Sequence, residues 1–316
     1  MKNTILAFLL IILGLNAKAQ YDMDFGINLG GANYIGEIGG NEGEAKPWLL
    51  DMKLSQTNIA VGGFYRYSFT KNIAAKISFN YARISGADSL SNEPTRIARN
   101  LSFRTDIIEA TLTGEYAYFT MNDMSRRSRQ RIDFRAYGFA GVGVCFYYPY
   151  AQYNDKWFYL RPLQTEGTEN AYDEMTIAVP TGLGAAFTFN KKVRIGVEIG
   201  YRFTFTDYLD DVSTDFAYGG ADPQNLTNGT AQLSPELPFL ESHIFANRSN
   251  EAYARGDADL PDRNFYRRGA IRGNPDSNDG YLLAQFSISY VINSGNNFSK
   301  SRYNSIINRR RKRTKF

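Results

Sequence analysis

Four carboxylates, Asp207, Asp210, Asp211 and Asp215, stand within nine residues of the chain. Oxygen clusters of this kind suit a hard cation such as Ca²⁺. The spacing is not that of an EF-hand loop, which needs a glycine at its sixth position and a closing glutamate. The same side chains could instead brace the start of a loop by pairing with arginines such as Arg202, and that structural role is the expectation. His243, the single histidine, is the natural candidate for a general base, with Asp210 to orient it. It lies in a 74-residue stretch rich in Pro, Asn and Gly, which does not promise the fixed geometry catalysis requires. We therefore expect no enzyme, no catalytic residue, no cofactor and no metal centre, the four aspartates being weak candidates at most.

A second set of charges is spread along the chain: Asp24, Arg66, Lys76, Glu109, Glu115, Asp133, Arg135, Arg194, Glu198 and Arg202. Each falls on the polar side of a segment in which apolar and polar residues alternate. The clearest segment places Val193, Ile195, Val197, Ile199, Tyr201, Phe203 and Phe205 on one face, with Arg194, Glu198 and Arg202 on the other. A period of two is the signature of a strand with unlike faces. Five bases balance five acids, so the polar faces predict a salt-bridged interior rather than a pore.

Eight such segments are expected: Tyr21–Tyr34, Asn58–Phe69, Ile73–Ile84, Asp106–Phe119, Arg131–Tyr148, Asp173–Phe189, Val193–Thr206 and Tyr281–Ile292. Short connections alternate with long ones, the longest being 207–280. That layout predicts an all-β fold, an eight-stranded antiparallel up-and-down transmembrane barrel with its greasy side outward. Eight strands leave an interior that side chains can fill. The fifth segment is apolar on both faces, and only Asp133 and Arg135 orient it. Its glycines read as bends or places of close packing.

Residues 1–19 read as a secretory signal peptide, with Lys2, an apolar run over Ile5–Leu15, and Ala17-Lys18-Ala19 before Gln20. The single cysteine, Cys145, allows no intrachain disulfide. Residues 20–292 then form the barrel, and 293–316 a basic tail expected on the periplasmic side.

Charge is sorted along this layout. The tail and short turns sum to +13, whereas the four long loops sum to −9. Arg126, Arg127, Arg129, Arg309, Arg310, Arg311, Lys312, Arg313 and Lys315 supply most of the positive end. A basic run of this kind is a solvated tail, a contact for anionic phospholipid, or a dock for an acidic periplasmic partner. The leader argues against nucleic acid as that partner.

Gly30-Gly31-Ala32-Asn33-Tyr34-Ile35-Gly36-Glu37-Ile38, Arg99-Asn100-Leu101-Ser102-Phe103, Leu163-Gln164-Thr165-Glu166-Gly167 and Thr206-Asp207-Tyr208-Leu209-Asp210-Asp211-Val212 carry a family likeness. On these stretches the chain resembles the PorG-like outer-membrane β-barrels of the Bacteroidota. The resemblance implies a non-enzymatic component of the type IX protein secretion system. It also implies association with a periplasmic lipoprotein ring of the PorK and PorN type. The other expectation is an OmpA-like surface module that acts through its acidic fourth loop.

Overall fold

The computed structural model describes residues 22–38, 56–122, 132–219, 237–256 and 260–293. Its strands are β1 (Asp22–Ile35), β2 (Asn58–Ser68), β3 (Ile73–Ala87), β4 (Ser102–Met121), β5 (Ile132–Tyr153), β6 (Lys156–Tyr159), β7 (Met175–Phe189), β8 (Val193–Thr204) and β9 (Gly280–Asn293). Hydrogen bonding runs β4-β3-β2-β1-β9-β8-β7-β5, and β4 pairs with β5 to close the cylinder. Every ladder is antiparallel. The fold is thus an eight-stranded up-and-down barrel, and closure leaves no barrel strand with an unpaired edge inside the wall.

The eight expected segments are the eight barrel strands. Several extend further than the alternation indicated, because Ser85, Gly86 and Ala87 go on pairing with Arg104, Phe103 and Ser102. Ladder hydrogen bonds continue there after the apolar outer face has ended. The short strand β6 was not anticipated. It folds back on the end of β5, pairing Tyr150 with Tyr159 and Gln152 with Trp157.

Every barrel strand turns large apolar side chains outward. Ile27, Val61, Phe79, Leu112, Val142, Leu183, Ile199 and Phe286 form a continuous exposed band. On β4 the outward apolar face runs from Ile108 to Tyr118, roughly 34 Å along the strand, or about 26 Å of height at a tilt near 40°. A transmembrane barrel carries an apolar band of about 25 Å. Among the described residues no helix is long and apolar enough to cross a membrane.

The turn at 70–72, the turn at 190–192 and the two barrel ends at Asp22 and Asn293 gather at one end of the cylinder, since Met23 faces both Tyr67 and Ile292. The described parts of the four long connections gather at the other end. There α1 (Pro94–Arg99), α2 (Leu240–Ala246) and α3 (Ser249–Arg255) lie over the barrel mouth.

On β5, Tyr137, Phe139, Cys145 and Tyr147 are buried inside the barrel, while Val142, Val144 and Phe146 face outward. Asp133 and Arg135 therefore orient it correctly. The glycines opposite make room for its rings. A Cβ on Gly184 would lie 2.5 Å from the Tyr137 ring, and one on Gly200 would lie 2.7 Å from Phe139.

Candidate functional site

Three polar layers stack inside the cylinder, beginning at the turn end. β2 presents Arg66 at the centre of the first. Its Nε donates to Glu115 Oε1 at 2.9 Å, Nη1 to Asp24 Oδ2 at 2.9 Å and Nη2 to Glu198 Oε1 at 3.3 Å. Four strands converge on this one guanidinium. Lys76 donates to both Glu198 oxygens at 2.7 and 2.6 Å, and Tyr137 donates to the same carboxylate at 2.7 Å. Arg135 reaches Glu115 at 2.9 Å, and Arg194 reaches Asp24 at 2.7 Å. The Phe64 ring packs under the cations of Arg66 and Lys76 at 5.0 and 5.7 Å. Asp133 faces the same end of the lumen and is half-buried.

The second layer centres on Glu109, which accepts from Asn80 at 2.7 Å, Tyr281 at 2.6 Å and Arg202 at 3.3 Å. Unpaired charges in such an interior would cost several kcal/mol each. These lie within hydrogen-bonding reach of opposite charges, and side chains fill the path along the axis. Arg202 is committed to Glu109. It does not brace the aspartates at the mouth, contrary to the expectation from sequence.

The third layer is the roof. Leu209 and Val212 insert from the stretch after β8 into the mouth, where they pack with Tyr34, Ile38, Leu101, Phe103, Ile107 and Tyr147. The aspartates beside them are each bound differently. Asp210 Oδ2 lies 2.6 Å from Tyr34 Oη, and its Oδ1 accepts from Val212 N at 3.0 Å. Asp211 has a left-handed backbone, with φ of 67°, and its carboxylate accepts from Thr165 at 2.6 Å and Tyr172 at 2.5 Å. Arg272 bridges Glu166 at 2.8 Å and the Asp211 carbonyl at 2.6 Å. Glu166 in turn accepts from the backbone N–H groups of Ser213 and Thr214. Asp215 is exposed. The bracing partners are thus Tyr34 of β1, Thr165 and Tyr172 of the third loop, and Arg272 from further along the fourth loop itself.

Burial raises the carboxyl groups of the roof. Asp207 is pushed up to about 8 and Asp211 to about 6, in each case chiefly by loss of water. Asp210 and Asp279 lie well above the usual carboxylate range for the same reason. Neither Asp207 oxygen has a hydrogen-bond partner among the described residues. Among those residues no three acidic, histidine or cysteine side chains are grouped to hold a metal ion.

His243 sits in α2, with Nδ1 at 2.9 Å from the Phe239 carbonyl and its ring edge-on to Tyr218. Asp210 is engaged with Tyr34, so the structure does not bring the imagined pair together. The described part of the fourth loop is packed rather than extended. It packs Phe216 against Tyr266 and Ala98, and joins Ile244 to Tyr218 and Leu237. Ring burial supplies what the Pro- and Gly-rich sequence conceals. A cleft of about 660 Å³ opens in this roof beside Glu37, Arg96, Arg99, Phe265 and Arg272.

The signal segment lies outside the described residues. So do Arg126, Arg127, Arg129, Arg309, Arg310, Arg311, Lys312, Arg313 and Lys315.

The family whose description reads domain of unknown function (DUF6089) matches residues 2–220. Its match takes in the inserted stretch of the roof and stops before β9. No curated protein matches the chain. Among solved structures, the chain is similar to the N-terminal β-barrel domain of Pseudomonas aeruginosa OprF. Identity is 7%, over 87% of this chain and 98% of that one, with a TM-score of 0.34. It is also similar to Ail, the attachment invasion locus protein of Yersinia pestis, in complex with the heparin analogue sucrose octasulfate. There identity is 9%, over 86% of this chain and 97% of that one, with a TM-score of 0.28. Likenesses this distant carry no argument, and the barrel rests on its own strand pairing.

Proposed function

The chain belongs to the DUF6089 family, and on that premise we propose that it is a non-enzymatic outer-membrane barrel that docks a periplasmic component of the type IX secretion system. The exposed apolar band supports insertion in the outer membrane, and the filled lumen favours an anchor over a channel. The long loops then face outward, with the short turns and the basic tail on the periplasmic side. The partner is a lipoprotein ring of the PorK and PorN type, as the PorG-like resemblance implies.

The observation that carries this reading is charge sorted by end. The turns at 70–72 and 190–192 gather with Asp22 and Asn293, and the tail that continues from Asn293 has eight bases and no acid. Concentrated positive charge speeds encounter with an acidic partner and fixes its orientation. The test is a crosslinked pull-down from outer membranes, comparing the full chain with one lacking 308–316 and one with Arg126, Arg127 and Arg129 reversed to Glu. Ring proteins should come down with the full chain and fade in both variants. Undiminished recovery from both at physiological salt would overturn the dock.

A second reading is favoured by the packed roof: a surface module acting through its acidic fourth loop. In that case trimming 223–276 abolishes function and loss of the tail is silent.

A further inference from the structure

Arg83 on β3 and Arg104 on β4 face outward beyond the apolar band, with Arg161 in the loop that follows β6, and two of these three are neutralised. Arg83 grips Asp106 through Nε at 2.6 Å and Nη2 at 3.2 Å. Arg161 pairs with Glu174 at 2.9 Å. The third is Arg104. The strand alternation that puts Ile108 and Leu112 outside puts Arg104 outside too. Its register across the wall is Ser85, Arg104, Tyr150 and Tyr159.

Arg104 meets no carboxylate among the described residues, and its Nε is buried without a hydrogen-bond partner. What it has instead is aromatic. Its Cζ lies 3.9 Å from the centroid of the Trp157 ring and 5.5 Å from that of Tyr150. The unanticipated strand β6 exists at the place that lays Trp157 over this guanidinium. Stacking removes the side-chain freedom that a flexible arginine would lose on binding, and with Nε buried it is the Nη pair that remains to meet a ligand.

Height selects the ligand. Arg104 stands four residues beyond Ile108, about 10 Å above the last apolar side chain of β4 at the tilt used above. That is the headgroup zone, where Trp and Tyr concentrate and long basic side chains turn toward the polar layer. The planar Nη pair of the guanidinium there matches a phosphate oxygen pair.

We propose that Arg104, clamped by Trp157 and Tyr150, is a binding site for the phosphate of an outer-leaflet lipid headgroup. The site rests on the membrane reading above. It fixes one lipid against β4, β5 and β6 at the rim that carries the roof.

The test uses the full chain in neutral detergent micelles, with lipid A bearing two phosphates as the probe and lipid phosphorus retained per barrel as the readout. Arg104→Gln should weaken retention at least tenfold, Arg104→Lys should fall between, and Arg83→Gln should change it little. Dephosphorylated lipid A should not be retained. Equal retention by Arg104→Gln overturns the site. Competition by inorganic phosphate at the same concentration as lipid A also overturns it, because the site would then hold the free anion. Folding of wild type and Arg104→Gln into lipid vesicles is measured in parallel. If neither inserts, the membrane reading falls and this site with it. If both insert and no phosphate is retained, the headgroup site alone falls.

Discussion

Tyr34 and Asp279 lie 245 positions apart in the chain and meet through a hydrogen bond of 2.5 Å. The same phenol oxygen lies 2.6 Å from Asp210. A phenol has one proton and can donate it once, so one of the two carboxyl groups must bring a proton of its own and donate to Tyr34. The roof is therefore assembled around a retained proton, and its backbone is tied to the same pair, since Leu209 N donates to Asp279 at 3.0 Å.

That arrangement fixes a pH dependence. Carboxyl groups whose folded pKa is raised bind more protons folded than unfolded. The stability they give is complete below the ordinary carboxylate pKa of about 4 and is lost as pH rises through the folded value. For Asp207 that value is about 8, and Asp210 and Asp279 shift in the same direction. Hydrogen exchange of 207–219, corrected for intrinsic rates, should be slowest near about pH 4 and accelerate toward about pH 9. Asp207→Asn should flatten part of that profile. A roof that tightens with rising pH would contradict the shared proton.

Arg66 is the keystone of the lumen. Arg66→Leu leaves Asp24, Glu115 and part of Glu198 buried without their shared cation, and should destabilise the barrel by about 3–5 kcal/mol. Urea unfolding in lipid vesicles measures this. A loss within the range of an ordinary surface substitution would mean that water already screens the network.

Charge on the outer wall tests the membrane band. Leu112→Arg, half-way along the band on β4, should cost roughly 2–4 kcal/mol in a bilayer. Ile271→Arg, which is 79% exposed on the roof, should cost nothing measurable. Equal effects at both positions would refute an apolar band in lipid.

The lumen is expected to be closed to ions. Single barrels in planar bilayers should give no steady conductance, because Arg66, Tyr137, Phe139 and Glu198 fill the axis. Tyr137→Ala with Phe139→Ala removes two rings and should introduce leak current. Steady conductance in the unmodified chain would overturn the filled interior.

Arg272 ties the roof together by holding Glu166 and the Asp211 backbone. Arg272→Ala should speed proteolysis within the fourth loop several-fold while leaving the barrel resistant. Uniform loss of protease resistance would mean that roof and barrel unfold as one unit.

Alternation by itself determined the eight strands, their inward and outward faces and the sign of every lumen charge, because a strand's two faces are a local property with a period of two residues. The same logic oriented β5 from Asp133 and Arg135 alone. What the sequence could not supply is which charges meet. Arg66 faces Asp24 directly across the β1–β2 ladder, but it finds Glu198 on β8 only because closure of β4 on β5 curls the sheet around one axis. Arg202 was within reach of the mouth by sequence, yet barrel register gives it to Glu109. The roof is further from local reading still. Tyr34, Asp210 and Asp279 come from three separate parts of the chain, and β6 has only four residues, too few for a periodic signal. Those contacts belong to the closed cylinder, whose curvature sets the distances that no stretch of sequence carries.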